Sequence, residues 1–191
     1  MTQKDLLAVD WSKIPAPTDD GGARHLPGKA LPPIGLTATN GTVVTLAELP
    51  GRTVVFGYPR TGEPGKIAIV DDWDMIPGAR GCTPQTCSFR DLFADLKAAG
   101  ARHVFGLSTQ STAYQSEMAT RLHLPFPVLS DEQLALTRAL DLPTMEVAGL
   151  TMIRRLALIL DDGRITHVFY PVFPPDRNAA DVLAWLKNNP Q

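Results

Sequence analysis

At 191 residues with 44% hydrophobic composition, the chain is long enough for one well-filled core and short for two, so a single domain is expected. Its 18 basic and 20 acidic residues are intermixed and leave a formal charge of −2, which argues against nucleic-acid partners and against binding to anionic membranes. The opening MTQKDLLAVDW lacks the basic-then-apolar order of a secretory signal and no run approaches a membrane span, so a soluble, cytoplasmic protein is expected.

Residues 1–33, rich in proline and carrying the turn Asp19-Asp20-Gly21-Gly22, read as an N-terminal extension laid over the surface, with the body spanning 34–191. In GLTATNGTVVTLAEL, Asn40-Gly41 between two Thr- and Val-rich runs predicts a hairpin. TVVFGYP (53–59) is a continuous apolar run ended by Pro59, as expected of a central strand buried on both faces, and HVFGLST (103–109) repeats that character. FRDLFADLKAAG (89–100) has apolar residues at helical spacing and Gly100 as its stop. Further helices are expected within 111–124 and 131–142. LALILDDGRITHVFYPV then gives two strands about an Asp-Gly turn, and AADVLAWLKNN, with Asn178 as its cap, closes the chain as a helix. Strands alternating with helices and finishing in a hairpin predict an α/β sandwich with a mixed sheet.

Both cysteines lie in GCTPQTCSFRD, as Cys82 and Cys87. A lone pair in a reducing compartment is a poor structural staple, and C-x4-C cannot complete a tetrahedral metal site by itself. His25, His103, His123 and His167 are scattered without ligand spacing. Redox chemistry is therefore the expected use of the pair. Proline is tolerated only in the first turn of a helix, so Pro84 places a helix start near Cys82 or Thr83. Free amides and the positive end of the helix dipole favour a thiolate there, and Arg80 adds to that field, which makes Cys82 the candidate nucleophile. Five residues along an ideal helix separate two Cα atoms by roughly 8 to 9 Å. A disulfide needs about 7 Å or less, so the first turns must unwind if the pair oxidises.

These residues resemble the peroxiredoxins, most closely the Q-type group typified by bacterioferritin comigratory protein. GCTPQTCSFRD resembles that group's peroxidatic segment. VVFGYP is similar to the strand before it, and GLST, LPFPVLSD and RRLALILDDGRI follow in the family's order. The resemblance implies a thioredoxin-like α/β fold, a central mixed sheet flanked by helices with an N-terminal hairpin, and thiol peroxidase activity on hydrogen peroxide or organic hydroperoxides. It implies Cys82 as the peroxidatic and Cys87 as the resolving residue, with Arg155 stabilising the thiolate and orienting the peroxide. Arg154 is the alternative if the strand register slips, because neighbouring strand residues face oppositely. Pro59 is similar to the proline that opens the family's motif. At the position of the family's Thr or Ser, three residues before the peroxidatic cysteine, this chain has Ala79. An enlarged loop, GEPGKIAIVDDWDMIPG (62–78), precedes it, and Thr61 at its near end is the candidate substitute hydroxyl. Trp73 reads as the residue that anchors this loop to the body. The implied partners are a hydroperoxide and a thioredoxin-like dithiol reductant, for a monomer or homodimer without metal or organic cofactor. A thiol-disulfide oxidoreductase or redox sensor on the same fold is the alternative.

Overall fold

The computed structural model describes residues 9–191. The Asn40-Gly41 turn forms as expected: Gly41 adopts φ 82°, the Asn40 side chain accepts from the Thr42 amide and hydroxyl, and strands β1 (Gly35–Ala38) and β2 (Val43–Thr45) pair antiparallel about it. The central apolar run is β3 (Arg52–Gly57), buried along its whole length. Helices α1 (Cys82–Asp91) and α2 (Phe93–Ala98) lead to β4 (His103–Ser108), and α3 (Thr112–Arg121) leads to β5 (Val128–Ser130). Then come α4 (Ala135–Leu140), β6 (Thr144–Val147), β7 (Leu150–Ile153), β8 (Leu156–Asp161), β9 (Arg164–Phe169) and α5 (Asn178–Asn188).

Seven strands make one sheet in the order β2-β1-β5-β4-β3-β8-β9, in which β3, β4 and β5 run parallel and the remaining pairings are antiparallel. Successive side chains of a strand face opposite ways, and β3 accordingly divides two cores. Val55 joins Leu107, Leu129 and Leu158 on one face under α4. Val54 and Phe56 join Cys82, Phe89, Leu96, Met118 and Val182 on the other, beneath α1, α2, α3 and α5. The Phe56 and Phe89 rings stack at 4.1 Å and hold the middle of α1 to the sheet. The expected α/β sandwich with a mixed sheet is thus the thioredoxin-like arrangement.

Several local expectations are corrected. The helix expected over 89–100 breaks at Leu92, where ψ reaches 9°, so α2 takes a new direction and Phe89 and Leu96 both reach the core. Asn178 does not cap the last helix; it is the helix's first residue, fully buried, and Arg177 precedes it without a capping side chain. Arg154 and Arg155 lie in the link between β7 and β8 rather than on a strand, so link geometry and not strand alternation decides which faces the cysteine. The β6–β7 hairpin was not foreseen; its turn is Ala148-Gly149, both at positive φ. Of the stretch read as an extension, residues 1–8 lie outside the described residues. Ala23, Leu26 and Leu31 are buried in the first core, and Ala30 bridges to Arg164 on β9.

Candidate active site

The parallel strands β3 and β4 end side by side, and the chain segments leaving their carboxyl ends build the site, the usual place for ligands in parallel sheets. After β3, buried Pro59 carries no N–H to extend the ladder and directs the chain to Arg60 and Thr61. After β4, Gln110 clamps that turn: its Oε1 accepts from the Thr61 amide at 2.9 Å and the Thr61 hydroxyl at 3.1 Å, and its Nε2 donates to the Thr61 carbonyl at 3.3 Å. The Tyr114 hydroxyl donates to the same carbonyl at 3.0 Å.

Helix α1 begins at Cys82, as Pro84 in its first turn requires. Gly81 precedes it at φ 105°, a conformation that disfavours other residues. A Cβ there would lie 2.6 Å from both the Pro175 ring and the Trp11 indole. The glycine cap therefore allows these two residues to close over the helix start, and Trp11 is tied down by its Nε1 donating to Asp176 at 2.8 Å. With no side chain at the cap, the first amides of α1 remain aimed at the space before the helix.

Cys82 is a buried free thiol, and Arg155 Nη2 donates to its Sγ at 3.3 Å. The same nitrogen lies 3.1, 3.2 and 3.1 Å from the carbonyls of Gly78, Ala79 and Arg80, so the guanidinium gathers the end of the enlarged loop around the cysteine. Arg155 Nη1 donates to Gln85 Oε1 at 2.5 Å, and Gln85 Nε2 donates to Asn178 Oδ1 at 2.9 Å. Arg155 is only 2% exposed, and its partners among the described residues are carbonyls, an amide and the sulfur, with no carboxylate. A buried guanidinium costs several kcal/mol in desolvation, roughly, and here three carbonyls, the Gln85 amide and the sulfur meet it in place of a carboxylate. Arg154 faces away, donating from Nε to the Thr144 carbonyl at 2.8 Å.

The Cys82 thiol lies 3.5 Å from the Ala79 carbonyl, its acceptor. A carbonyl can hold the thiol proton but cannot donate to a peroxide, so Ala79 does not replace a hydroxyl. Thr61, 1% exposed, lines the same cavity as Cys82, together with Arg60, Arg80, Trp73 and Tyr114. Pro59 is not on the cavity wall. Arg80 reaches the wall, but its guanidinium is paired with Asp74 at 3.0 Å, which shares out the charge the sequence reading aimed at Cys82. Trp73 packs with Ile69 and Ile76 against Met145, Val147 and Met152, anchoring the 62–78 loop on the β6–β7 hairpin.

Cys87 lies on the same helix, buried and free. Burial pushes its thiol above the ordinary cysteine value, with the nearby Arg90 charge opposing the shift. The two cysteines thus occupy different environments: one against a guanidinium at a helix start, the other in an apolar layer one turn further on. Sequence reasoning missed Gln85, Asn178 and Gln110. Gln85 was within reach, because it stands three residues after Cys82 and so shares its helix face. Among the described residues no group of three or more His, Cys, Asp or Glu could hold a metal, and no helix is long and apolar enough to cross a membrane.

The redoxin family profile matches residues 26–183. The chain is 32% identical over 167 residues to peroxiredoxin Bcp of Escherichia coli K12, covering 85% of this chain and 96% of that one. It is 30% identical over 163 residues to the chloroplastic peroxiredoxin Q of japonica rice, where 84% of this chain matches. It spans only 66% of the rice protein's length. Among solved structures, peroxidoxin BcpB of Mycobacterium tuberculosis superposes with a TM-score of 0.67 at 25% identity, over 87% of this chain and 99% of that one. The chain belongs to the redoxin family, in its Q-type peroxiredoxin group.

Proposed function

We propose that this protein is a thiol-dependent peroxidase in which Cys82 reduces hydrogen peroxide or an organic hydroperoxide and Cys87 resolves the oxidised product. The observation that carries this reading is the 3.3 Å contact from Arg155 to Cys82 Sγ at the start of α1, on the wall of an open cavity. The Cys82 thiolate attacks the terminal peroxide oxygen, the O–O bond breaks, and the sulfur is oxidised by two electrons to a sulfenic acid. The departing alkoxide or hydroxide takes a proton and leaves as alcohol or water. Negative charge spreads over sulfur and both oxygens in the transition state, where Arg155 and the first amides of α1 stabilise it without reorganising. Thr61 contributes an oxygen lone pair: its hydroxyl proton is committed to Gln110, so Oγ1 accepts the O–H of the incoming hydroperoxide. Pro59 serves the site by directing Arg60 and Thr61 into it.

The Cys87 thiol then condenses with the sulfenic acid, giving the disulfide and water. Because burial keeps Cys87 protonated, opening of α1 both brings the sulfurs together and restores the ordinary acidity of the attacking thiol. A thioredoxin-like dithiol protein returns both thiols and is itself oxidised. This cycle suits a reducing cytoplasm and a monomer or homodimer, with no nucleic acid or membrane required.

The test is stopped-flow oxidation followed by coupled turnover. Cys82→Ser should lose peroxide consumption, whereas Cys87→Ser should show one fast oxidation and no recycling by a dithiol protein. Equal single-turnover rates in the wild type and Cys82→Ser would sink the reading. Disulfide transfer to proteins with no peroxide reaction would favour a thiol-disulfide oxidoreductase instead.

A further inference from the structure

The Arg155 guanidinium is held on its far side by residues that the reaction itself does not touch. An arginine side chain has only N–H donors, so the Gln85 atom that faces its Nη1 must be the oxygen, and the Gln85 nitrogen is turned away from the arginine. That nitrogen donates to Asn178 Oδ1 at 2.9 Å, in a layer where Gln85 and Asn178 are both 0% exposed. Asparagine at a helix start ordinarily offers its oxygen to the free amides of its own helix. Asn178 offers it to another helix instead, and its Nδ2, also buried, has no acceptor among the described residues. An unpaired buried donor costs stability and an apolar side chain would avoid that cost, so the packing of α5 does not explain the amide. Breaches of that kind are expected where function imposes them. The base from which Asn178 reaches is fixed: Ala179, Val182 and Leu186 of the same helix lie in the core with Phe56 and Phe89, and Pro175 just before it lies against Gly81 at the start of α1.

We propose that Asn178 is a positioning residue for peroxide reduction: by accepting from Gln85 Nε2 it fixes which end of the Gln85 amide faces Arg155, and so holds the guanidinium at Cys82. With the Asn178 oxygen removed, Gln85 Nε2 loses its partner in a buried layer, and either way of satisfying it disturbs the arginine. If the amide turns over, an N–H meets the N–H groups of Arg155; if the side chain swings off to another acceptor, Arg155 Nη1 loses its own partner. The Nη2 that contacts Cys82 Sγ at 3.3 Å belongs to the same rigid plane as Nη1, so a shift at one is carried to the other. The last helix thereby acts on the reacting sulfur without touching it. The proposal rests on the reading of Cys82 as the peroxide-reactive residue and adds a residue to its support.

The experiment measures the rate constant of Cys82 oxidation by hydrogen peroxide in stopped flow, with thermal unfolding of each variant alongside. Asn178→Leu and Asn178→Ala, which remove the acceptor with more and with less apolar bulk, should each lower the rate constant about tenfold, the scale of one hydrogen bond lost beside a charged group. Asn178→Asp keeps an oxygen at the same place and should stay within about threefold of the wild type, so that the rate follows the acceptor and not the melting temperature. In a Gln85→Met background, Asn178→Leu should alter the rate constant by less than about twofold, because the contact through which it acts is already gone, whereas a general loosening of α5 would slow both backgrounds alike. Wild-type rates in both Asn178→Leu and Asn178→Ala, an Asn178→Asp protein as slow as Asn178→Leu, or a loss of about tenfold that persists in the Gln85→Met background would overturn the proposal. A wild-type protein that hydrogen peroxide does not oxidise at Cys82 would overturn the peroxidase reading, and the proposal with it.

Discussion

Joining Cys82 and Cys87 as a disulfide should unwind the first turns of α1, and the size of the effect follows from the contacts that hold them. The helix is continuous from Cys82 to Asp91, a geometry that keeps the two Cα atoms roughly 8 to 9 Å apart. Closing that gap to about 7 Å or less removes the helical acceptors of Gln85, Thr86 and Cys87, beginning with the 3.0 Å bond from the Gln85 amide to the Gly81 carbonyl. It also releases three side-chain bonds: Thr86 Oγ1 to the Cys82 carbonyl, Gln85 to Asn178, and Arg155 to Gln85. At about 1 kcal/mol net per bond, the six together are worth about 6 kcal/mol, comparable to the whole stability of a modest domain. In the reduced protein such opening is rare, and amides over 85–89 should be protected about 10⁴-fold more than in the disulfide form. Hydrogen exchange read by mass spectrometry on both redox forms checks this, with Val54 to Phe56 on β3 as the segment that stays protected in each. A protected helix running unbroken through Cys87 in the fully disulfide-bonded protein would refute the geometric reasoning and the role given to Cys87.

Replacing Arg155 by Lys keeps the charge but removes the planar fork that spans Gln85, the loop carbonyls and Cys82. Peroxide reactivity should fall by one to two orders of magnitude, about 1.4 to 3 kcal/mol of barrier, while Arg154→Lys has little effect; the reverse ranking in stopped-flow rates would show that the wrong arginine has been assigned. A further prediction follows from the raised Cys87 thiol in a Cys82→Ser background. Burial favours the neutral form in the helix, so this contribution to helix stability is fully present below the ordinary cysteine value of about 8.5 and is lost as pH rises through the raised folded value. Alkylation of Cys87, corrected for thiolate fraction, should therefore speed up above that pH, and a flat corrected profile would contradict the burial argument.

Much of the frame was legible because its signals are local. Asn40-Gly41 and Asp162-Gly163 set their hairpins through positive φ, and Pro84 could stand only near a helix start. The β6–β7 hairpin escaped notice because Ala148, not Asn or Asp, takes the left-handed position there. Residues 23–31 looked like an extension because proline and glycine dominate their surroundings, yet a few leucines suffice to draw them into the core. At the site, the cysteines were readable from spacing and chemistry. Arg155 was readable through likeness to a family, but for the wrong local reason, since it sits in a link and not on a strand. Gln85, which holds it, is in turn held by Asn178, 93 positions away on another helix, and only tertiary packing brings those two together.

The indole of Trp11 rests against Gly81 and Pro175 at the point where α1 would come apart. Packing of the indole there is made on the wound helix, so whatever free energy it contributes opposes the unwinding that disulfide formation requires. Loosening that packing should favour the bonded cysteine pair, and tightening it should favour the wound helix. A sulfenic acid that waits for the helix to open is exposed to further oxidation to the sulfinic acid, which competes with resolution.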